Sequence, residues 1–341
     1  MITGLGFVAP APLGALLSGQ SAAPPDPAPE ITAFEVAEGA PAWGFEVLDF
    51  SLEKELPHIK SFVDRTSALG LSAAKLALAD AGLLERDRRP AGLEIGCAYG
   101  TTLGCLDAMA IFWNKIKTSN PKFAQPLPFT HGYANSPSSL LCIEYGLRGP
   151  AATFSGERLA GIEALLFAFD QIAAGAGDII LTGASESLTL PAHRHLLATG
   201  QLSRSGTWSD GIIPGEGAAM LVLESAASAE RRGAAILAEV ANVELCPSGL
   251  ALPPETALFG SPRLAEGPAF SCELYSGDML SASPLLGAAV AVGALSGRYG
   301  LDRLPLCKGR SAPAALQRAA TAGREADGGT GAIVLEHAAK R

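Results

Sequence analysis

The hydrophobic pattern is sharpest between Gly149 and Leu188, a stretch that reads GPAATFSGERLAGIEALLFAFDQIAAGAGDIILTGASESL. A Gly-Pro pair closes the preceding segment, and a run of small residues of strand length follows. The Ser155-Gly156-Glu157 turn then opens a helix, because Ile162, Leu165, Leu166, Phe169 and Ile172 line one face of a 3.6-residue period. Gly175 and Gly177 end that helix, and Asp178-Ile179-Ile180-Leu181-Thr182 is a short apolar strand of the kind buried in a parallel sheet. The unit is strand, sharp turn, helix, strand, with Glu157 and Arg158 at the elbow.

The rest of the chain follows the same alternation. Met1 to Gly6, then Phe7-Val8-Ala9-Pro10, reads as an opening strand running into a Gly/Pro turn. Residues 18 to 44, with Pro24, Pro25, Pro27 and Pro29, read as a surface excursion in which no helix can form. Asp64-Arg65-Thr66 starts a helix with Leu69, Ala73 and Leu76 on one face, ending near Gly82. Leu93 to Gly104 predicts a strand and a Gly-rich turn, Ala226 to Gly233 a short charged helix, and Ala238 to Val243 another strand. The apolar run from Pro284 to Leu295 is too short to span a bilayer and reads as a packed core helix.

Several of these strings together resemble the β-ketoacyl-acyl-carrier-protein synthases, the condensing enzymes of the thiolase fold. The resemblance rests on Gly149-Pro150 and the elbow unit, on Gly-x-Gly-Asp and Gly-Ala-x-Glu around residues 175 to 186, and on Ser209-Asp210-Gly211. It rests further on the run from Gly215-Glu216-Gly217 to Leu223-Glu224, and on the closing Asp327-Gly-Gly-Thr-Gly-Ala-Ile-Val-Leu-Glu336. The string Gly156-Glu157-Arg158-Leu159-Ala160-Gly161 is closest to the chain-length-factor subunits of type II polyketide synthases. The implied fold is α/β, a thiolase-like five-layer αβαβα arrangement of two related halves. Residues 1–225, with the excursion 18–44, would form the first half and residues 226–341 a shortened second half.

The resemblance also states what chemistry requires. Decarboxylative condensation needs a thiolate nucleophile, two neutral imidazoles and a lysine. The cysteine position matches Arg158, whose guanidinium stays protonated and is a poor nucleophile. The second histidine position, before Leu285-Leu286-Gly287-Ala288-Ala289, holds Pro284, and the lysine position falls at Met279. The first histidine belongs to a loop around Leu250 to Ser271, and no histidine occurs between His195 and His337.

The catalytic set is therefore expected to be empty, with Glu157, Arg158, Pro284 and Asp327 marking a degenerate site. A cation at a helix N-terminus is opposed by the helix dipole, so Arg158 needs a carboxylate partner, such as Glu157 or a residue of another subunit. Relatives pair the strand after the nucleophile helix across a twofold axis, which places Asp178, Ile179, Ile180, Leu181 and Thr182 at an interface. The expectation is an inactive partner, or chain-length factor, of an active synthase in type II polyketide, aryl-polyene or specialised fatty-acid assembly, as a heterodimer or homodimer. Two alternatives stay open: a free-standing acyl-transfer enzyme using Cys97, Cys105 or Cys142, and a non-catalytic module that binds an acyl carrier protein.

Composition narrows the classes. The net charge of −9, without a Lys/Arg-rich block, argues against nucleic acid or an anionic membrane as partner. It also means that an acidic carrier protein would need a local basic patch to dock. The six cysteines show no CxxC pair, which predicts reduced thiols. His193 and His195, two apart, lack a third ligand, so neither a metal nor a cofactor is expected. The start Met1-Ile-Thr-Gly has no basic signal-peptide region, so a cytoplasmic location is expected.

Overall fold

The computed structural model describes residues 1–20, 23–59, 61–84, 93–246, 252–253, 255–264, 269–307, 313, 315–325 and 327–338. Part of the loop expected to carry the first histidine, residues 247–251 and 265–268, lies outside the described residues. In chain order the first elements are β1 (Ile2–Val8), α1 (Ala11–Leu17), α2 (Leu52–Glu55), α3 (Arg65–Asp80), β2 (Ile95–Thr101), α4 (Leu106–Thr118), α5 (Pro126–Thr130) and α6 (Ser136–Tyr145). Next come β3 (Ala151–Ser155), α7 (Ala160–Ala173), β4 (Ile179–Glu186), α8 (Leu190–Ala198) and β5 (Gly217–Glu224). The remainder is α9 (Ala226–Arg232), β6 (Glu239–Cys246), β7 (Ala257–Phe259), α10 (Glu273–Ser276), α11 (Ala282–Leu295), β8 (Arg318–Arg324) and β9 (Thr330–Glu336).

Two sheets result, in the orders β1-β5-β4-β2-β3 and β6-β9-β8-β7. Matching β1 with β6, β5 with β9, β4 with β8 and β2 with β7 superposes the pairing directions. The first two contacts are antiparallel and the third is parallel in both sheets. Even the bulge repeats, between Ile2 and Gly4 in one sheet and between Val240 and Asn242 in the other. The two related halves expected from the sequence are thus visible in the backbone.

Helices α7 and α11 lie between the sheets, and α3 covers the other face of the first. Strand periodicity sorts the side chains: Ile180 and Leu221 join Ile162, Leu165 and Leu285 in the inter-sheet core, while Leu181 and Val222 join Leu69 and Ala73 under α3. On the outer face of the second sheet the described apolar side chains that cover Ala320, Ala332 and Val334 are Leu252, Leu258 and Leu264. Helix α11 is buried almost all round, so it is the core helix its composition predicts.

Asp178, Ile179, Ile180, Leu181 and Thr182 do not form the expected interface. β4 is bonded to β2 on one side and to β5 on the other, so no ladder groups remain for a partner. β3, the strand before the elbow, is an edge strand of this sheet, and its residues are exposed or half-buried. Asp178 itself faces solvent, where it accepts from Ser225 Oγ at 2.7 Å and pairs with Arg231.

Candidate functional site

The elbow places Arg158 between the end of β3 and the start of α7. Its Nη1 donates to Asp278 Oδ2 at 2.5 Å, with the Arg158 side chain 22 % exposed and Asp278 only 1 %. Asp278 is held in turn, since Oδ1 accepts the Leu280 N–H at 2.8 Å and its own N–H donates to the Ile213 carbonyl at 2.7 Å. Burial opposes the charge on Arg158, and the Asp278 carboxylate overrides it, leaving the guanidinium above its ordinary pKa. The carboxylate partner is therefore Asp278 of the same chain, rather than Glu157 or a residue of another subunit.

Glu157 lies instead beside Glu325, in the turn between β8 and β9. Glu325 Oε1 accepts the Leu159 N–H at 2.9 Å and Oε2 the Arg158 N–H at 3.2 Å, which satisfies two unpaired donors at the start of α7. An anion there is what the helix dipole favours. Burial and the adjacent Glu157 carboxyl push Glu325 up to about 7. Asp327, two residues on, is exposed and only accepts the Gly329 N–H within its own turn, so it does not belong to the site.

A cleft of about 660 Å³ opens over the elbow, with Arg158, Glu273, Asp278, Pro284 and Glu325 in its wall. Pro284 sits in the first turn of α11, where the lost N–H costs nothing. Met279 is fully buried below the cleft and donates its N–H to Ser283 Oγ at 2.9 Å. Glu273 is buried beside Asp278, and burial first, then that neighbouring charge, pushes its carboxyl up to about 8. Its Oε2 has no hydrogen-bond partner among the described residues. Beneath the elbow, Glu186 accepts from Ser281 Oγ at 2.6 Å, Leu103 N–H at 3.2 Å and Thr101 Oγ1 at 3.2 Å, and burial pushes it up to about 7.

Among the described residues no cysteine and no histidine lines this cleft. Cys97 on β2 is buried against Cys142 of α6, and this contact together with burial pushes the Cys97 thiol up. Burial likewise raises Cys105, whose Sγ is 3.9 Å from Ser67 Oγ. His193 contacts the Pro41 carbonyl through Nε2 at 2.8 Å, while His195 points to solvent. Both stand on α8, where residues two apart face opposite sides and cannot share an ion.

Of the positions the sequence singled out, Arg158 and Pro284 both line this cleft. Sequence reasoning missed Asp278, Glu273 and Glu325. Two of these carried a signal, because Asp278 directly precedes Met279 and Glu325 stands two before Asp327, each flanking a position already marked as degenerate.

Comparison with known proteins decides the family. A family model described as the N-terminal domain of β-ketoacyl synthase matches residues 35–229, more than half of the chain. The chain belongs to the β-ketoacyl synthase family. This synthase-family chain is 29 % identical over 230 residues to the chloroplastic 3-oxoacyl-[acyl-carrier-protein] synthase II of Arabidopsis thaliana, covering 62 % of the chain and 41 % of that protein. It is 29 % identical over 264 residues to oxytetracycline polyketide putative β-ketoacyl synthase 1 of Streptomyces rimosus, covering 71 % and 61 %. The family member thus spans about 40 to 60 % of the length of these relatives. In fold it is similar to the ishigamide ketosynthase/chain length factor, with a TM-score of 0.81 at 20 % identity over 99 % of this chain and 98 % of that one. It is also similar to a ketosynthase bound to a type II polyketide acyl-carrier protein, AntDE:AntF, with a TM-score of 0.73 at 19 % identity and 99 % coverage of both.

Proposed function

We propose that this chain is a catalytically silent synthase-family subunit that works as the partner, or chain-length factor, of an active cysteine-bearing synthase. The observation that carries the reading is the Arg158–Asp278 ion pair standing where the resemblance puts the nucleophilic thiolate. A guanidinium held this way stays charged and offers no lone pair to a thioester. The displaced-thiol alternative gains nothing from Cys97, Cys105 or Cys142, since none of them lines the cleft.

An inactive copy of a two-subunit enzyme is useful where it shapes the acyl tunnel shared with its active partner. On this reading the chain serves type II polyketide, aryl-polyene or specialised fatty-acid assembly, with a carrier protein bringing the acyl group. The edge of β3 supplies the pairing surface, and α6, joined to β3 by the Ser138 Oγ–Thr153 Oγ1 hydrogen bond, carries Ile143, 71 % exposed. A like half of this size would form either a heterodimer with the active synthase or a homodimer.

The test is co-expression with a cysteine-bearing synthase, followed by size-exclusion chromatography and by mass spectrometry after incubation with an acyl thioester. A one-to-one complex with acyl label on the synthase alone is the expected result. An acyl adduct on any thiol of the isolated chain would overturn the silent reading.

A further inference from the structure

Four acids line the cleft over the elbow, and the chain's own donors already bond three of them. Asp278 accepts from Arg158 and from the Leu280 N–H, and Glu325 accepts the Arg158 and Leu159 N–H groups. Asp210 accepts from Ser203 Oγ and from the N–H groups of Arg204 and Ser205. The fourth acid is Glu273, 6 % exposed, whose Oε2 has no partner among the described residues. A buried polar group left unpaired costs about 1 to 3 kcal/mol, so its place in a cleft wall points to a group that enters the cleft.

The donors of the cleft are less occupied than its acids. Among the described residues only Nη1 of the Arg158 guanidinium is bonded, which leaves Nη2 and Nε for another acceptor. Arg263 and Arg324 line the same cleft, and both are exposed. Glu273 joins the donors, because burial and the neighbouring Asp278 charge push its carboxyl up to about 8 and so keep an O–H on it at neutral pH. The groups facing it from the other elements are Arg158, Ser261 and Ser283, which oppose that rise without cancelling it. What the cleft presents is a set of open donors beside Ile212, Leu264, Leu280 and Pro284, in a volume of about 660 Å³ that suits a small organic molecule.

We infer that the cleft holds a free carboxylic acid with an apolar tail, its carboxylate between the Arg158 guanidinium and the Glu273 hydroxyl, its tail against Leu264, Leu280 and Pro284. A guanidinium fork matches a carboxylate, and an O–H donated to an anion makes a strong, charge-assisted bond. One carboxylate thus satisfies both groups that the chain leaves open. The ligand is the unactivated acid, not a thioester, and no covalent bond is made or broken. The inference rests on the silent reading proposed above, since a thiolate in place of Arg158 would repel a carboxylate. On that reading the lost nucleophile leaves a receptor for a free acid, with Arg158 as its anchor.

The experiment titrates the full chain at neutral pH with octanoate, octanamide and octylamine, three probes with one tail and different heads, by isothermal titration calorimetry. Octanoate should bind at least about tenfold more tightly than either of the others. Arg158→Ala strands Asp278 and destabilises the fold, so the test falls on Glu273. Glu273→Leu removes a buried unpaired carboxyl with a side chain no longer than the original. It should keep or raise the thermal midpoint and weaken octanoate about tenfold. Glu273→Gln keeps a donor at the same place and should hold octanoate within about threefold of the original affinity. Equal binding of the three probes, tighter binding of octylamine, or undiminished octanoate affinity in Glu273→Leu overturns the inference. Mass spectrometry of the same chain after incubation with an acyl thioester separates the two readings. Absent octanoate binding without an acyl adduct removes this inference alone, whereas an adduct on a thiol removes the silent reading whatever octanoate does.

Discussion

Arg158 and Asp278 share one ion pair but not one environment, and the difference fixes the cost of losing either. Asp278 is 1 % exposed, so Arg158→Ala strands a buried carboxylate, whereas Arg158 at 22 % exposure can still reach water in Asp278→Ala. Arg158→Ala should cost about 3 kcal/mol and the Asp278 variant clearly less, with midpoint losses near 2 °C per kcal/mol in a chain of this size. Equal losses in thermal unfolding would count against the pairing described. Glu273 makes a second prediction. Its carboxyl titrates near 8 in the fold against an ordinary value near 4.5, so the folded state holds more protons than the unfolded one between those limits. The stability it contributes is whole below about pH 4.5 and is lost as pH rises through about 8. Glu273→Gln should flatten the fall of the midpoint between about pH 4.5 and about pH 8, and an unchanged slope would remove Glu273 as the cause. At this scale Arg158, Pro284 and Met279 could be singled out because each sits inside a local string. Asp278 could not, since it meets Arg158 from 120 positions away, and no spacing rule reaches that far.

The elbow depends on how closely α7 crosses α11. A Cβ on Gly161 would lie 2.2 Å from the Ser281 carbonyl oxygen and 2.5 Å from Leu285 Cδ2, so nothing larger than hydrogen fits between the helices. Gly161→Ala should separate them and cost at least about 2 kcal/mol, despite alanine's better helix propensity. Denaturant unfolding gives the value, and a stabilised variant would show that the crossing yields. The edge strand allows a cleaner test of assembly. Ile143→Glu changes a side chain already 71 % exposed, so the monomer's stability should move by less than about 0.5 kcal/mol while association through the β3 face is lost. Analytical ultracentrifugation separates these outcomes. Periodicity announced α3 and α7 because each carries a long apolar face, and an unbroken apolar run announced α11. The resemblance put strand pairing at residues 178–182, whose ladder groups are already bonded to β2 and β5; a continuous apolar strand reports burial on both faces but not that bonding.

The duplication is a property of the whole molecule, and it was hidden in the sequence because the two sheets share pairing order, not residues. β5 and β9 occupy matching places, yet what makes them equivalent is their antiparallel neighbours, which no one-dimensional pattern records. The shared layer also decides whether a break near residue 225 would yield two domains. Ile162 and Leu165 of α7 pack in one core with Val243, Leu285 and Ile333 from the later part of the chain. Cutting there would bare the inter-sheet face of the first sheet and one whole side of α7. Each large aliphatic side chain so exposed forfeits about 1.5 to 3 kcal/mol, several times over for this surface, against a total stability of about 5 to 15 kcal/mol. Residues 1–225 expressed alone should therefore be aggregated or molten, without a cooperative thermal transition, while the full chain unfolds in one step. A soluble monomeric 1–225 fragment with a sharp transition would show that the halves are independent domains and that α7 needs no second sheet to hold the elbow.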